Sequence, residues 1–136
     1  LGLRVLLAED NRINALLAKS LLERSGCDVA LALDGSEALE AIKTAPYDIV
    51  FMDCHMPNMD GFEATRAIRA LKGKYLELPI VALTAAAMEE DRRKCAAAGM
   101  SDFITKPLDP NAIGQILNKW SQKPIEAQKP RDESAA

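Results

Sequence analysis

The sequence lacks several features that would assign it to particular functional classes. It has no apolar segment near the roughly 20 residues that a membrane-spanning helix requires. Its opening stretch, LGLRVLLA, is short and interrupted by Arg4, unlike a signal peptide. The 17 basic and 20 acidic side chains are mixed along the 136 residues and give a net charge of −3. Because no basic cluster is present, we expect a domain that binds neither membrane nor nucleic acid.

Cysteine is also scarce. Cys27, Cys54 and Cys95 are an odd number, widely spaced and without a CxxC motif, which disfavours a disulfide framework and a zinc site. This pattern favours half-buried thiols in a reducing cytosol, and we expect a cytoplasmic domain. The chain begins with Leu1 rather than Met, which suggests a segment of a longer polypeptide.

The sequence does contain a fivefold alternation of short apolar runs and helical patterns. The apolar runs occupy residues 3–8, 29–33, 49–52, 80–83 and 103–104. The first segment between them shows helical spacing in Ile13, Leu16, Leu17 and Leu21. Continuous apolar strands separated by helices imply a parallel sheet that is covered on both faces. We therefore predict an α/β domain of the doubly wound (βα)₅ type.

Capping signals indicate where the helices begin and where the domain ends. Asp34 opens the second predicted helix, Asp60 the third and Asp109 the last. The periodic pattern stops after residue 120, where SQKPIEAQKPRDESAA follows. We therefore predict one domain over residues 1–120 and a linker or disordered tail over 121–136.

Polar residues follow four of the predicted strands, at the sheet edge where such folds bind their ligands. They are Glu9, Asp10, Asp53, Thr84 and Lys106. Three carboxylates brought together repel one another, and a divalent cation bound through oxygen, Mg²⁺ or Mn²⁺, removes that conflict. Lys106 and Thr84 remain as donors that face an anion, which predicts a pocket for a phosphoryl group. Asp53 is then a candidate nucleophile, because carboxylates form aspartyl phosphates.

Each of these residues also has an ordinary structural explanation. Asp10, beside Asn11, can cap the first helix, and Thr84 can cap the fourth. Lys106 can be a surface lysine like any other. Their shared position at one edge of the sheet favours the chemical interpretation over these separate explanations.

Four motifs carry a family resemblance. They are Glu9-Asp10, Asp53 within FMDCHMPNMDGFE, Thr84-Ala85 within VALTA, and Lys106-Pro107 within DFITKP. Together they resemble the receiver domain of two-component response regulators, over about residues 3–120. The resemblance implies a flavodoxin-like fold with a five-stranded parallel sheet in the order 2-1-3-4-5 and helices on both faces.

The resemblance also implies a role for each site residue. Asp53 would accept a phosphoryl group from a phosphohistidine, and Lys106 would pair with the phosphoryl oxygens. Asp10 and Asp53 would bind Mg²⁺ directly, Glu9 would bind it through water, and the backbone carbonyl of His55 would add a further ligand.

The resemblance implies a conformational switch as well. Thr84 would move toward the phosphoryl group while Phe103 swings inward, and the face formed by the fourth helix, fifth strand and fifth helix would change. Phe103 replaces the more common tyrosine, so that the rotated ring makes no hydrogen bond. The fourth helix, predicted over residues 85–98, has few large apolar side chains, and we expect it to be weakly anchored. His55 and Ala86 occupy the positions that tune dephosphorylation.

The stretches EDNRINALLAKSLLERSG and DGFEATRAIRA are most similar to receivers attached to hybrid sensor kinases. We therefore expect a hybrid histidine kinase as the parent chain, itself membrane-anchored in some arrangements, and a single-domain response regulator as the alternative. The partner would be a histidine phosphotransfer protein or the kinase's own catalytic core. The receiver alone would catalyse only its own phosphorylation and dephosphorylation. We expect a monomer, with a phosphorylation-dependent dimer as the alternative.

Two other classes fit the sequence less well. A haloacid-dehalogenase-like phosphatase places a second aspartate two residues after its nucleophile, where this chain has His55, and it needs residues for a cap domain. A flavodoxin-like cofactor binder needs a phosphate loop rich in serine, threonine and glycine after the first strand. The corresponding stretch here, AEDNRIN, is acidic.

Overall fold

The computed structural model describes residues 2–85, 89–106 and 108–128. It contains one sheet of five parallel strands in the order β2-β1-β3-β4-β5, which confirms the expected topology. The strands are β1 (Arg4–Ala8), β2 (Asp28–Ala32), β3 (Ile49–Asp53), β4 (Ile80–Thr84) and β5 (Asp102–Thr105). The order reverses between β1 and β3, so the carboxyl ends of these central strands form the crevice in which such folds bind ligands.

Five α-helices connect the strands, and a short 3₁₀ helix, Gly73–Leu76, precedes β4. The α-helices are α1 (Arg12–Arg24), α2 (Gly35–Thr44), α3 (Gly61–Ala70), α4 (Glu89–Ala98) and α5 (Pro110–Gln128). The side chains of Asn11, Asp34 and Asp60 accept backbone N–H bonds at the starts of α1, α2 and α3. No helix in the described part of the chain is long and apolar enough to cross a membrane.

The core has two layers, one on each side of the sheet, because successive strand residues point to opposite faces. Leu6, Val50 and Met52 pack with α2, α3 and α4 on one side. Leu7 and Phe51 pack with α1 and α5 on the other. Every residue of β3 and β4 is buried, so the strand that ends in Asp53 is enclosed on both faces.

Two helix boundaries differ from the sequence prediction. The helix α5 continues to Gln128, past the predicted end near residue 120, although this extension contains Pro124, a residue that disfavours a helix interior. The domain boundary at residue 120 stays a prediction. The described part of α4 begins at Glu89 rather than at Ala85, which lies in a bend, and residues 86–88 are outside the described ranges.

Replacing Gly61 with alanine should destabilise the fold by about 1–3 kcal/mol, because the new methyl group would overlap the backbone carbonyl of Asp53. The free energy of unfolding in urea measures this effect. Gly114→Ala is the matched control: nothing lies within 4 Å of its new methyl group, and alanine favours a helix interior by roughly 1 kcal/mol. A Gly61→Ala protein as stable as the wild type would contradict the close approach.

Candidate functional site

Asp53 is the last residue of β3 and presents its carboxylate at the carboxyl edge of the sheet. The residue is only 5% exposed. Its Oδ2 accepts a hydrogen bond of 3.0 Å from Lys106 Nζ, and its Oδ1 accepts one of 3.2 Å from the backbone N–H of His55. Both oxygens of the carboxylate are therefore oriented by the strand ends and loops around it.

Lys106, which follows β5, joins two buried carboxylates. Its Nζ lies 2.9 Å from Glu9 Oε1 and 3.0 Å from Asp53 Oδ2. Its backbone N–H donates to the carbonyl oxygen of Thr84 at 2.7 Å, which ties the end of β5 to the end of β4. One ammonium group thus connects the carboxyl ends of β1, β3 and β5.

Burial and the contacts between these side chains shift the pKa values of Glu9 and Lys106. Burial raises the pKa of the Glu9 carboxyl, and hydrogen bonds from Lys106 and from the backbone of Asn11 only partly offset that effect. Burial lowers the pKa of Lys106, but its hydrogen bonds to Glu9 and Asp53 more than compensate, so that the pKa lies above its ordinary value. Lys106 is therefore a fixed positive charge throughout the physiological range.

Three carboxylates are close enough to share one cation. Oxygens of Glu9, Asp10 and Asp53 all lie within 4.8 Å of one another. Asn11 is the N-cap of α1, because its Oδ1 accepts a hydrogen bond from the backbone N–H of Asn14. Asp10, which the sequence also allowed as the cap, does not have that role. Exposed Asp10 and buried Asp53 form a hard, oxygen-only donor set that suits a small divalent cation with bound water.

The loop after Asp53 is held by the N-terminus of α2, which sequence reasoning missed. Asn58, with a left-handed φ of 67°, donates from Nδ2 to Asp34 Oδ2 at 2.9 Å. The backbone N–H of Gly35 donates to Met59 O at 2.9 Å, and a side chain at Gly35 would overlap that carbonyl. The one signal in the sequence was an asparagine, a residue that tolerates φ > 0, within a loop.

The structure describes three of the four remaining predicted site residues. Thr84 is buried at the last position of β4, and Phe103 is half-buried on β5. His55 is exposed and lies edge-on to the Phe62 ring at 6.1 Å. Ala86 is outside the described residues.

Cys54, directly after Asp53, is a buried thiol rather than a second nucleophile. Burial, followed by its contact with Cys95, raises the pKa of the Cys54 thiol to about 12. Because only the thiolate is nucleophilic, Cys54 stays protonated beside the carboxylate. Cys54 therefore does not compete with Asp53 as the candidate nucleophile.

The geometry defines a class of protein: a doubly wound α/β domain with a cluster of carboxylates that could hold a cation and a lysine-paired aspartate at the carboxyl edge of its sheet. The family model for the response regulator receiver domain matches residues 5–118. The chain therefore belongs to the receiver domains of two-component phosphorelays, which confirms the resemblance seen in the sequence motifs.

Several relatives are similar over most of this chain. The sensor histidine kinase GacS of Pseudomonas protegens is 43% identical over 129 residues, which are 93% of this chain and 14% of that kinase. The chain thus spans about one seventh of that relative. The receiver domain of sensor histidine kinase PA1611 from Pseudomonas aeruginosa, solved with a magnesium ion coordinated in its active-site cleft, is 39% identical with a TM-score of 0.81, covering 88% and 98% of the two chains.

A third similarity is to a chain in the co-crystal structure of the Saccharomyces cerevisiae histidine phosphotransfer protein Ypd1 with the receiver domain of its downstream response regulator Ssk1. The identity is 31% and the TM-score 0.80, and the match covers 88% of each chain.

Replacing Lys106 with methionine should lower the free energy of unfolding at pH 7 by about 3 kcal/mol in the presence of a chelator, because two buried carboxylates lose their counter-ion. The loss should be largest at high pH, where Glu9 is ionised and Lys106 of the wild type stays protonated. It should shrink as the pH falls, because burial already raises the pKa of Glu9 and the variant lacks the ammonium group that lowers it. Urea unfolding at several pH values measures both effects.

Lys119→Met is the matched control, since Lys119 also pairs with an aspartate but its side chain is 60% exposed. That substitution should cost at most about 1 kcal/mol. Equal losses in the two variants would contradict a special role for the buried bridge.

Proposed function

We propose that Asp53 accepts the phosphoryl group of a partner phosphohistidine and that the phosphorylated domain changes the face containing α4, β5 and α5. The observation that carries this proposal is the position of Asp53: a buried strand end whose Oδ2 is 3.0 Å from Lys106 Nζ. Glu9 shares the lysine and the acidic neighbours, but Asp53 is itself the last residue of a strand that is buried along its whole length.

The transfer uses groups that are already in place. Asp53 Oδ attacks the phosphorus, the bond between phosphorus and the histidine nitrogen breaks, and the imidazole keeps the electron pair and later takes up a proton. The Lys106 ammonium, held on Glu9 and Asp53, stays within reach of the phosphoryl oxygens. The transfer is therefore stabilised by a positioned charge rather than by proton transfer within the site.

We propose Mg²⁺, with Mn²⁺ as a substitute, as the cation of this site. Asp10 and Asp53 would bind it directly, Glu9 through water, and the backbone carbonyl of His55 would complete the protein ligands. The support is the carboxylate cluster within 4.8 Å and the magnesium ion in the similar PA1611 receiver. When bound, the cation would neutralise charge that accumulates on the transferred group.

The partner is proposed to be a histidine phosphotransfer protein or the catalytic core of a histidine kinase, docking on α1. Ile13, Leu16 and Leu17 are 70%, 56% and 62% exposed, while the same helix buries Ala18 and Leu22 against the sheet. A groove lined by Leu17, among other residues, runs from this apolar face to Lys106 at the phosphorylation site. Exposed apolar patches of this kind are typical of protein interaction sites.

A hybrid histidine kinase is the proposed parent, because the chain matches about one seventh of the GacS kinase. A single-domain response regulator is the second candidate. In either case we propose a cytoplasmic, monomeric receiver in which Thr84 and Phe103 form the switch and in which His55 and Ala86 tune phosphoryl lifetime. The exposed position of His55 beside the site is consistent with that last role.

Incubation with Mg²⁺ and acetyl phosphate should add one phosphoryl group, measured by intact mass. Asp53→Asn should abolish the adduct because the nucleophile is lost, whereas Asp28→Asn, an exposed aspartate on β2, should leave it unchanged. Retention of the adduct in Asp53→Asn, or labelling of serine or threonine, would refute the proposal. No adduct in any variant would refute it too.

Asp10→Asn should weaken Mg²⁺ binding at least tenfold, because it removes one of three clustered charges. Isothermal titration with MgCl₂ gives the affinity directly. Asp28→Asn again serves as the control with the same change in net charge, and equal affinities in both variants would argue against Asp10 as a ligand.

A further inference from the structure

The aromatic residue of the proposed switch is covered by a cation from α4. Arg92 Cζ lies 4.8 Å from the centroid of the Phe103 ring, within the range of about 6 Å for a cation–π contact. Phe103 is half-buried and packs against the core layer that includes Met52 and Cys95. The Phe103 ring therefore contacts apolar groups of the core and the guanidinium group of Arg92 on α4.

Within its described range, Glu89–Ala98, the helix that carries Arg92 is held most firmly at its C-terminal end. At its C-terminal end, Gly99 O accepts bonds of 2.9 and 2.7 Å from Arg69 Nε and Nη2. The buried residues of α4 are Cys95 and Ala98, both in its second half. Most side chains in the first half of α4, including that of Arg92, are exposed, and the contact with Phe103 joins this half of the helix to β5.

The charges along α4 leave Arg92 available to the ring. Its neighbour Arg93 forms an ion pair of 3.6 Å with Glu89, one turn earlier on the same helix. Arg92 directs its guanidinium to Phe103 instead. Phenylalanine has no hydroxyl group, so packing and the cation are the forces that hold the ring in its half-exposed position.

We infer that Arg92 is a positioning residue that holds Phe103 in its half-exposed position and thereby opposes the switch. The inference rests on the proposed function, in which the ring turns inward on phosphorylation. Inward rotation would separate the ring from the guanidinium, so the contact favours the unphosphorylated arrangement. Removing it should increase the population of the inward ring about two- to fivefold, the equilibrium effect of a cation–π contact of about 0.5–1 kcal/mol.

The test uses the chain labelled with 4-fluorophenylalanine, with Phe103→Leu to assign the Phe103 resonance among the three phenylalanines. Fluorine NMR with Mg²⁺ and beryllofluoride, a phosphoryl analogue, defines the shift of the inward ring. Without beryllofluoride, Arg92→Ala should move the Phe103 resonance toward the chemical shift of the inward ring. The size of the move should correspond to a two- to fivefold increase in the population of that ring position. The initial rate of phosphorylation by acetyl phosphate should rise by the same factor.

Two variants separate this effect from general damage to α4. Arg93→Ala removes a neighbouring charge and the Glu89 pair but should keep the wild-type resonance, and Arg92→Lys should restore much of the wild-type position. An Arg92→Ala spectrum identical to that of Arg93→Ala, or shifted away from the beryllofluoride position, would overturn the inference. A wild-type Phe103 resonance that does not respond to beryllofluoride would also overturn it, while a phosphoryl adduct in the mass spectrum would leave Asp53 phosphorylation intact.

Discussion

The ammonium group of Lys106, bonded to Glu9 and Asp53, is the interaction on which this site depends. Two carboxylates buried at neighbouring strand ends would repel each other and would be costly to desolvate. One lysine from a third strand compensates both and fixes the distance between them. The same charge then faces the position where phosphoryl oxygens would arrive, so the contact that stabilises the fold also prepares the proposed reaction.

The elements around this site differ in how deeply they are buried: some fix the position of Asp53, and others have few contacts with the core. The strand β3 is buried along its whole length, and the loop after it is bonded to Asp34 and Gly35 at the start of α2. In contrast, α4 buries only two of its residues, and α1 presents large apolar side chains outward. A candidate acceptor on an enclosed strand, beside a helix with few buried residues, suits the proposed change of conformation on phosphorylation.

The sequence was sufficient to predict the fold and to place Glu9, Asp53 and Lys106 at the carboxyl edge of the sheet. This was possible because parallel strands that alternate with helices are compatible with few topologies. The sequence does not show which side of α1 faces the sheet. The spacing of Leu16 and Leu17 indicates only that they share part of the helix surface. It does not indicate that small residues on another face of the helix pack against the sheet. The contacts of Asn58 with Asp34 and of Arg92 with Phe103 each join two different structural elements, and no pattern within one element encodes them.

The most direct measurement of the central claim is chemical trapping of the phosphorylated site. Borohydride reduces an aspartyl phosphate to the corresponding alcohol, and peptide mapping by mass spectrometry then locates the reduced residue. The account predicts reduction at Asp53 alone, in a peptide that is unmodified when acetyl phosphate or Mg²⁺ is omitted. Reduction at Asp10 or Glu9 instead, or a phosphate that survives borohydride on a hydroxyl side chain, would contradict it.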